Sequence, residues 1–222
     1  MTALNAIVQG KKAYLVTDAA MLDFEGRIHS LSSKVWEFPA RHMAFGVTGV
    51  FDPKEDVPEM ATFELGNDPF SGLDDLVFDW KSRNVDQAKK EGRELDTRVQ
   101  ITAVAFLPLE NRAAACTVAS DDAGILGPAY EAGTILRAGY IASPGLDFEG
   151  VFGNVSPVDR MAFNVPRRAK YMIQHQRPMK LHHEHFGIGG FAELTTVDAK
   201  GIRREKIHSW PEDSVGEKIV LG

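Results

Sequence analysis

The second residue of this 222-residue chain is a threonine, and its hydroxyl is a candidate nucleophile once Met1 is gone. A threonine hydroxyl attacks poorly until a base takes its proton, and a residue at the chain's start carries such a base in its own α-amine. That amine has an ordinary pKa of about 7.7 to 8.0, so a fair share is neutral near pH 7 without help from histidine. A small second residue is what methionine aminopeptidase generally permits, and self-processing by the chain is the alternative route; while Met1 stays attached, the nitrogen of Thr2 is an amide and the base is absent.

Other side chains invite other chemistry. The run Leu181-His182-His183-Glu184-His185 holds usual zinc ligands. On a strand its neighbours point to opposite faces, so only His183 and His185 would converge, and no metal is expected. Cys116 has no second cysteine to pair with and sits in the apolar run AAACTVAS, which reads as a buried strand thiol. The glycines at 187, 189 and 190 lack the Lys-Ser/Thr pair of a phosphate loop, so no cofactor is expected.

Composition bounds the partners. A net charge of −6 argues against a nucleic-acid footprint. The basic clusters Arg167, Arg168, Lys170 and Arg203, Arg204, Lys206 read as solvated faces of amphipathic elements. The start has no basic region followed by a long apolar one, and no run of eighteen apolar residues follows, so the expectation is a cytoplasmic protein that meets no membrane. The length suits one domain over residues 1–222.

The elements that must position these groups follow from periodicity. Residues 3–9 and 12–19 form strand-like runs about Gly10-Lys11, a hairpin spacing. Residues 34–39 and 42–49 read as two more strands, and residues 51–70, with three prolines, as an irregular excursion with a short helix around 58–63. A helix is expected over 72–92, capped by Ser71 and stopped by Gly92. Strands follow at 98–107, 111–120 and 134–143, then a helix over 157–176 kinked or divided at Pro166, then a hairpin of 191–199 and 201–210. Runs of hairpin-linked strands broken by helices favour antiparallel sheets with segregated helices, an α+β order that a four-layer αββα sandwich satisfies.

The opening TALNAIVQGKKAYLVTDAAM, with Lys34 and the GVTG run at 46–49, resembles the start of proteasome β-type subunits and their bacterial relatives, members of the Ntn-hydrolase superfamily. The closing FGIGGFAELTTVDAKGIRREKIHSW is similar to that family's Gly-Gly lead-in and last hairpin. The resemblance implies an N-terminal threonine hydrolase that cleaves peptide or other amide bonds. Thr2 would be the nucleophile; Asp18, sixteen residues on, would hold the ammonium of Lys34, thirty-two on, beside it. Lys34 would favour the deprotonated oxygen. Gly49, or Gly46 in a shifted register, would offer its N–H to the oxyanion, and Val47 would line a small apolar specificity pocket. Aligning Gly189-Gly190 on the family's glycines puts Ile188 where active subunits keep a serine and His185 where they keep an aspartate; His185 is left as a supporting group. The alternative is a non-catalytic scaffold or assembly subunit of the same architecture. Relatives of this kind form rings, so a homo-oligomer is expected, and the absence of a leading helix before Thr2 argues for the β-like type.

Overall fold

The computed structural model describes residues 2–23, 25–49, 68–92, 97–121, 131–180 and 185–221. The expected excursion over 51–70 falls almost wholly outside them, as do Met1, His182, His183 and Glu184.

Strands β1 (Leu4–Gln9) and β2 (Lys12–Asp18) form the expected hairpin, pairing from Leu4↔Thr17 to Gln9↔Lys12. Gly10 takes φ +63° at the turn, a conformation open to glycine. Two short strands come next, β3 (Ala20–Leu22) and β4 (Ile28–Leu31), paired as a two-stranded sheet of their own. Then come β5 (Val35–Phe38), β6 (Met43–Gly49), helix α1 (Leu73–Glu91), β7 (Val99–Leu107), β8 (Arg112–Ala119), β9 (Leu136–Arg137) and β10 (Tyr140–Ser143). A five-residue helix α2 (Phe148–Phe152), helix α3 (Val165–Gln176) and the hairpin β11 (Phe191–Asp198) and β12 (Gly201–Ser209) complete the described chain. One five-stranded sheet runs β10-β1-β2-β11-β12 and another β5-β6-β7-β8-β9, every pairing antiparallel.

The four-layer αββα sandwich expected from the order of elements is corrected by this architecture, which is predominantly antiparallel β. Among the described residues there are three sheets and three α-helices, one of them of five residues. Among the described residues each large sheet carries one long helix. Part of the reason lies at Pro166. A proline lacks the N–H that a helix interior needs but fits the first turn, so α3 starts at Val165 with Asn164 as its cap instead of running from 157. The Asn164 side chain accepts from Arg167 N at 3.1 Å.

Apolar clusters hold these parts. Leu73, Leu76, Val77 and Trp80 of α1 pack on Phe45, Val47, Ile101, Ala103 and Cys116. Val165, Ala169, Met172 and Ile173 of α3 pack on Ala3, Ile7, Val16 and Leu194. Burying each large aliphatic side chain in such a cluster contributes roughly 1.5–3 kcal/mol. Between the large sheets the cluster is rich in small residues: Ala6, Ala13, Ala44, Ala113 and Ala115 sit with Leu15, Val35 and Val104. Among the described residues no helix is long and apolar enough to cross a membrane.

Candidate functional site

Asp18 closes β2 with its side chain wholly buried, so its charge must be met inside the protein. Oδ1 accepts from Ala3 N at 2.9 Å, and Oδ2 accepts from Ala20 N and Gly189 N, each at 3.2 Å. The remaining partner is Lys34, the residue just before β5, whose Nζ donates to Oδ1 at 3.1 Å and to Oδ2 at 2.9 Å. Lys34 is itself buried, and burial lowers its pKa from the ordinary lysine value, with the Asp18 charge and hydrogen bond acting in the opposite direction.

One carboxylate thus ties together the chain's beginning, the β3 turn, the Gly189 loop and a buried ammonium. Thr2 stands next to the first of these ties, because the Ala3 N–H is the amide that follows it. Ala3 belongs to the cluster beneath α3, whereas Leu4 points the other way, to where a Cβ on Gly46 would meet Leu4 Cδ2 at 2.4 Å. Thr2 is 8% exposed in the full-length chain.

The sheet pattern separates the N–H groups of the two candidate oxyanion donors. Phe106 N donates to His42 O at 2.9 Å, so by alternation the pair Gly46↔Thr102 is hydrogen-bonded and Gly46 spends its N–H in the ladder. Val99 turns both its backbone groups to Ser120, at 3.0 Å to Oγ and 2.9 Å from N, so Gly49↔Val99 is a non-bonded pair. The N–H of Gly49 is accordingly directed away from β7, beyond the end of β5. Gly49 is exposed, has φ +125°, and a Cβ there would lie 2.2 Å from Arg98 O.

The other candidate residues lie elsewhere. Val47 is 5% exposed and packs in the cluster under α1. His185 lies against Gly26, whose Cβ would meet the imidazole ring at 2.8 Å, in the β3–β4 connection. Ile188 is fully buried in the cluster beneath α3 and offers only its carbonyl, to Arg177 Nη1 at 3.2 Å. Among the described residues no three His, Cys, Asp or Glu side chains gather as a metal would require.

No protein-family model matches this chain, and no curated protein matches it. Among solved structures, a Gly-1 mutant of Anbu from Hyphomicrobium sp. strain MC1 is similar, with a TM-score of 0.59 at 10% identity over 96% of this chain and 89% of that one. At that identity the likeness shows the fold alone. The resemblance to proteasome β-type subunits and the wider Ntn-hydrolase superfamily, read from the two ends of the chain, is therefore corrected: what the comparisons support is a distant likeness to Anbu in a chain built mostly of antiparallel sheets.

Two buried charged groups next to the Gly189 loop are not singled out by the sequence. Arg177, just past α3, and Asp213, in the tail after β12, form a buried two-pronged ion pair at 2.7 and 2.8 Å. Asp213 Oδ2 also accepts from Gly190 N at 2.5 Å. The available signal is the pair of acids, Glu212 and Asp213, that follows the Trp-Pro break ending the last hairpin. Arg203, Arg204 and Lys206 are exposed, as a solvated face requires, and two of them are also paired: Arg203 with Asp198 at 2.7 Å, and Arg204, which bridges the large sheets, with Glu37 at 2.6 Å and Ser33 Oγ at 2.9 Å.

Proposed function

We propose that this chain is an N-terminal threonine hydrolase acting on peptide or other amide bonds, with Thr2 as nucleophile after removal of Met1. The observation that carries the reading is the buried Asp18 carboxylate, which grips Lys34 Nζ on one side and the Ala3 N–H, the amide after Thr2, on the other. In the proposed reaction Thr2 Oγ bonds to the amide carbonyl carbon and its proton passes to the free α-amine. The Lys34 charge favours the anionic oxygen, and the Gly49 N–H is the donor proposed for the tetrahedral oxyanion. Collapse breaks the C–N bond; the leaving amine takes the proton from the α-ammonium, leaving an ester on Thr2. Water then hydrolyses the ester and restores the hydroxyl.

The test compares cleavage of a panel of peptidyl anilides by protein beginning at Thr2, by protein retaining Met1, and by Thr2→Ala. Turnover by the first alone supports the reading. Equal turnover by all three, or none by any, would remove it.

A second reading, a non-catalytic scaffold subunit that self-assembles, is favoured by one observation: Ile188, fully buried among apolar side chains, adds no polar partner beside Gly189. It expects Thr2→Ala to leave assembly unchanged, which sedimentation velocity reads directly. Either way a homo-oligomer in the cytoplasm is part of the proposal, in a compartment where the buried Cys116 stays a thiol.

A further inference from the structure

Arg177 and Asp213 are among the buried charges that the proposed reaction does not use, and they lie directly behind the loop that serves Asp18. Arg177 and Asp213 are only 5% and 6% exposed. Their pairing is two-pronged, and Arg177 additionally donates to the carbonyls of Ile188 and Val220, each at 3.2 Å, while its guanidinium lies 4.6 Å from the centre of the Trp210 ring. A buried ion pair of this kind is poor evidence for stability, because removing two charges from water costs about as much as their attraction returns. Its geometry suggests another use.

Asp213 Oδ2 is held by Arg177 Nη1 and takes the Gly190 N–H. One residue earlier, the Gly189 N–H goes the opposite way, to Asp18 Oδ2, and the Gly189 carbonyl accepts from Ala19 N at 3.1 Å and Ala20 N at 3.0 Å. The two consecutive amides are thus split between two buried carboxylates. The backbone is also fitted to the ion pair: a Cβ at Gly189 would lie 2.4 Å from Asp213 Oδ2 and 2.9 Å from Arg177 Nη1. Gly190 has φ +79°, and a Cβ there would meet Leu31 Cδ2 at 2.7 Å.

We propose that Asp213, clamped by Arg177, is a positioning residue for the Asp18–Lys34 pair: it fixes the Gly189-Gly190 backbone so that the Gly189 N–H stays on Asp18. This rests on the reading of Thr2 as nucleophile, to which it adds a residue that touches neither Thr2 nor substrate. Asp213 orients a backbone, the backbone orients Asp18, and Asp18 orients the ammonium.

The test uses the full chain lacking Met1 and a β-lactone probe, whose ring opens when Thr2 Oγ bonds to its carbonyl carbon and the ring C–O bond breaks, so that the adduct keeps every probe atom. In Asp213→Asn one acceptor becomes an NH2 group and the clamp loses a prong. The maximal labelling rate is expected to fall roughly ten- to hundredfold, as small misplacements of reacting groups do, while the probe concentration for half-maximal rate stays constant. Hydrogen exchange at the Gly189 amide accelerates in the same variant. Wild-type labelling and wild-type Gly189 exchange in folded Asp213→Asn would overturn the proposal, as would parallel loss of rate and probe affinity with unchanged exchange. Should Asp213→Asn fail to fold, Arg177→Lys, which keeps the charge and loses the fork, is measured in the same two ways, and the same results support or overturn the positioning role. If the wild-type protein takes no label, the threonine reading falls, and Gly189 exchange alone decides the positioning role: faster exchange supports it, unchanged exchange ends it.

Discussion

Lys34 Nζ stands 3.1 and 2.9 Å from the two carboxylate oxygens of Asp18, and the side chains are 5% and 0% exposed. The pair is asymmetric. Asp18 keeps three backbone N–H donors if the lysine is lost, whereas among the described residues the Lys34 ammonium donates to Asp18 alone.

That asymmetry sets the order of two substitutions. Asp18→Asn strands a buried ammonium and turns an NH2 group on backbone donors, so a loss of about 3–5 kcal/mol is expected in urea unfolding. Lys34→Met leaves a carboxylate still served by three amides and fills the space with an apolar chain, so its loss is the smaller. The reverse order would contradict the assignment of the pair.

The pH dependence follows with a definite sign. Burial lowers the native pKa of Lys34, so between that value and the ordinary one of about 10.4 the unfolded chain binds more protons than the native one, and stability rises with pH. Tyr14 and Tyr140, pushed upward mainly by burial, oppose this above their ordinary value near 10, and the buried Cys116 thiol opposes it above its ordinary value of about 8.5, equally in wild type and in Lys34→Met. As pH rises toward about 10.4, urea midpoints should therefore have a more positive slope for wild type than for Lys34→Met. Equal slopes would count against a depressed lysine.

Gly189→Ala drives a methyl group into the Arg177–Asp213 pair, and a loss of about 1–3 kcal/mol is expected from overpacking. Gly145→Ala is its control, since a Cβ there meets nothing within 4 Å, and should fall within about ±0.5 kcal/mol. Thermal melts of both variants make the comparison.

Cys116 has its thiol pushed far above the ordinary range by burial, so a disulfide reagent should leave it untouched in the native protein and react in denaturant. Rapid native labelling would show that the cluster under α1 opens.

Much of the β framework is legible in the sequence because each long strand alternates and each hairpin is marked. Gly10-Lys11 and Lys200-Gly201 both sit at turns, and β7 and β8 lie within a residue of their expected limits. The failures have local causes. Residues 134–143 read as one strand, but Ala138-Gly139 lets the chain leave β9 in one sheet and enter β10 in the other. Strands β3 and β4, of three and four residues, are too short for a period of two to stand out. Ser71 reads as the cap of α1, but Gly72 occupies that position at φ +81° while the Ser71 hydroxyl bonds to Asp68 O at 2.9 Å. At the site, Asp18 and Lys34 are singled out by the resemblance of the chain's opening, and the structure joins them. Arg177 and Asp213 escape a sequence reading because an ion pair between residues 36 apart, one after a helix and one in a tail, leaves no periodic trace.

The central claim, that Thr2 becomes a nucleophile when its amine is free, is tested most directly by intact-mass and peptide-mapping spectrometry after exposure to the β-lactone. The expected result is a chain lighter by Met1 that gains one probe mass, mapped to Thr2, with no gain in protein that retains Met1. An adduct at any other residue, or equal labelling of the Met1-retaining chain, would contradict it.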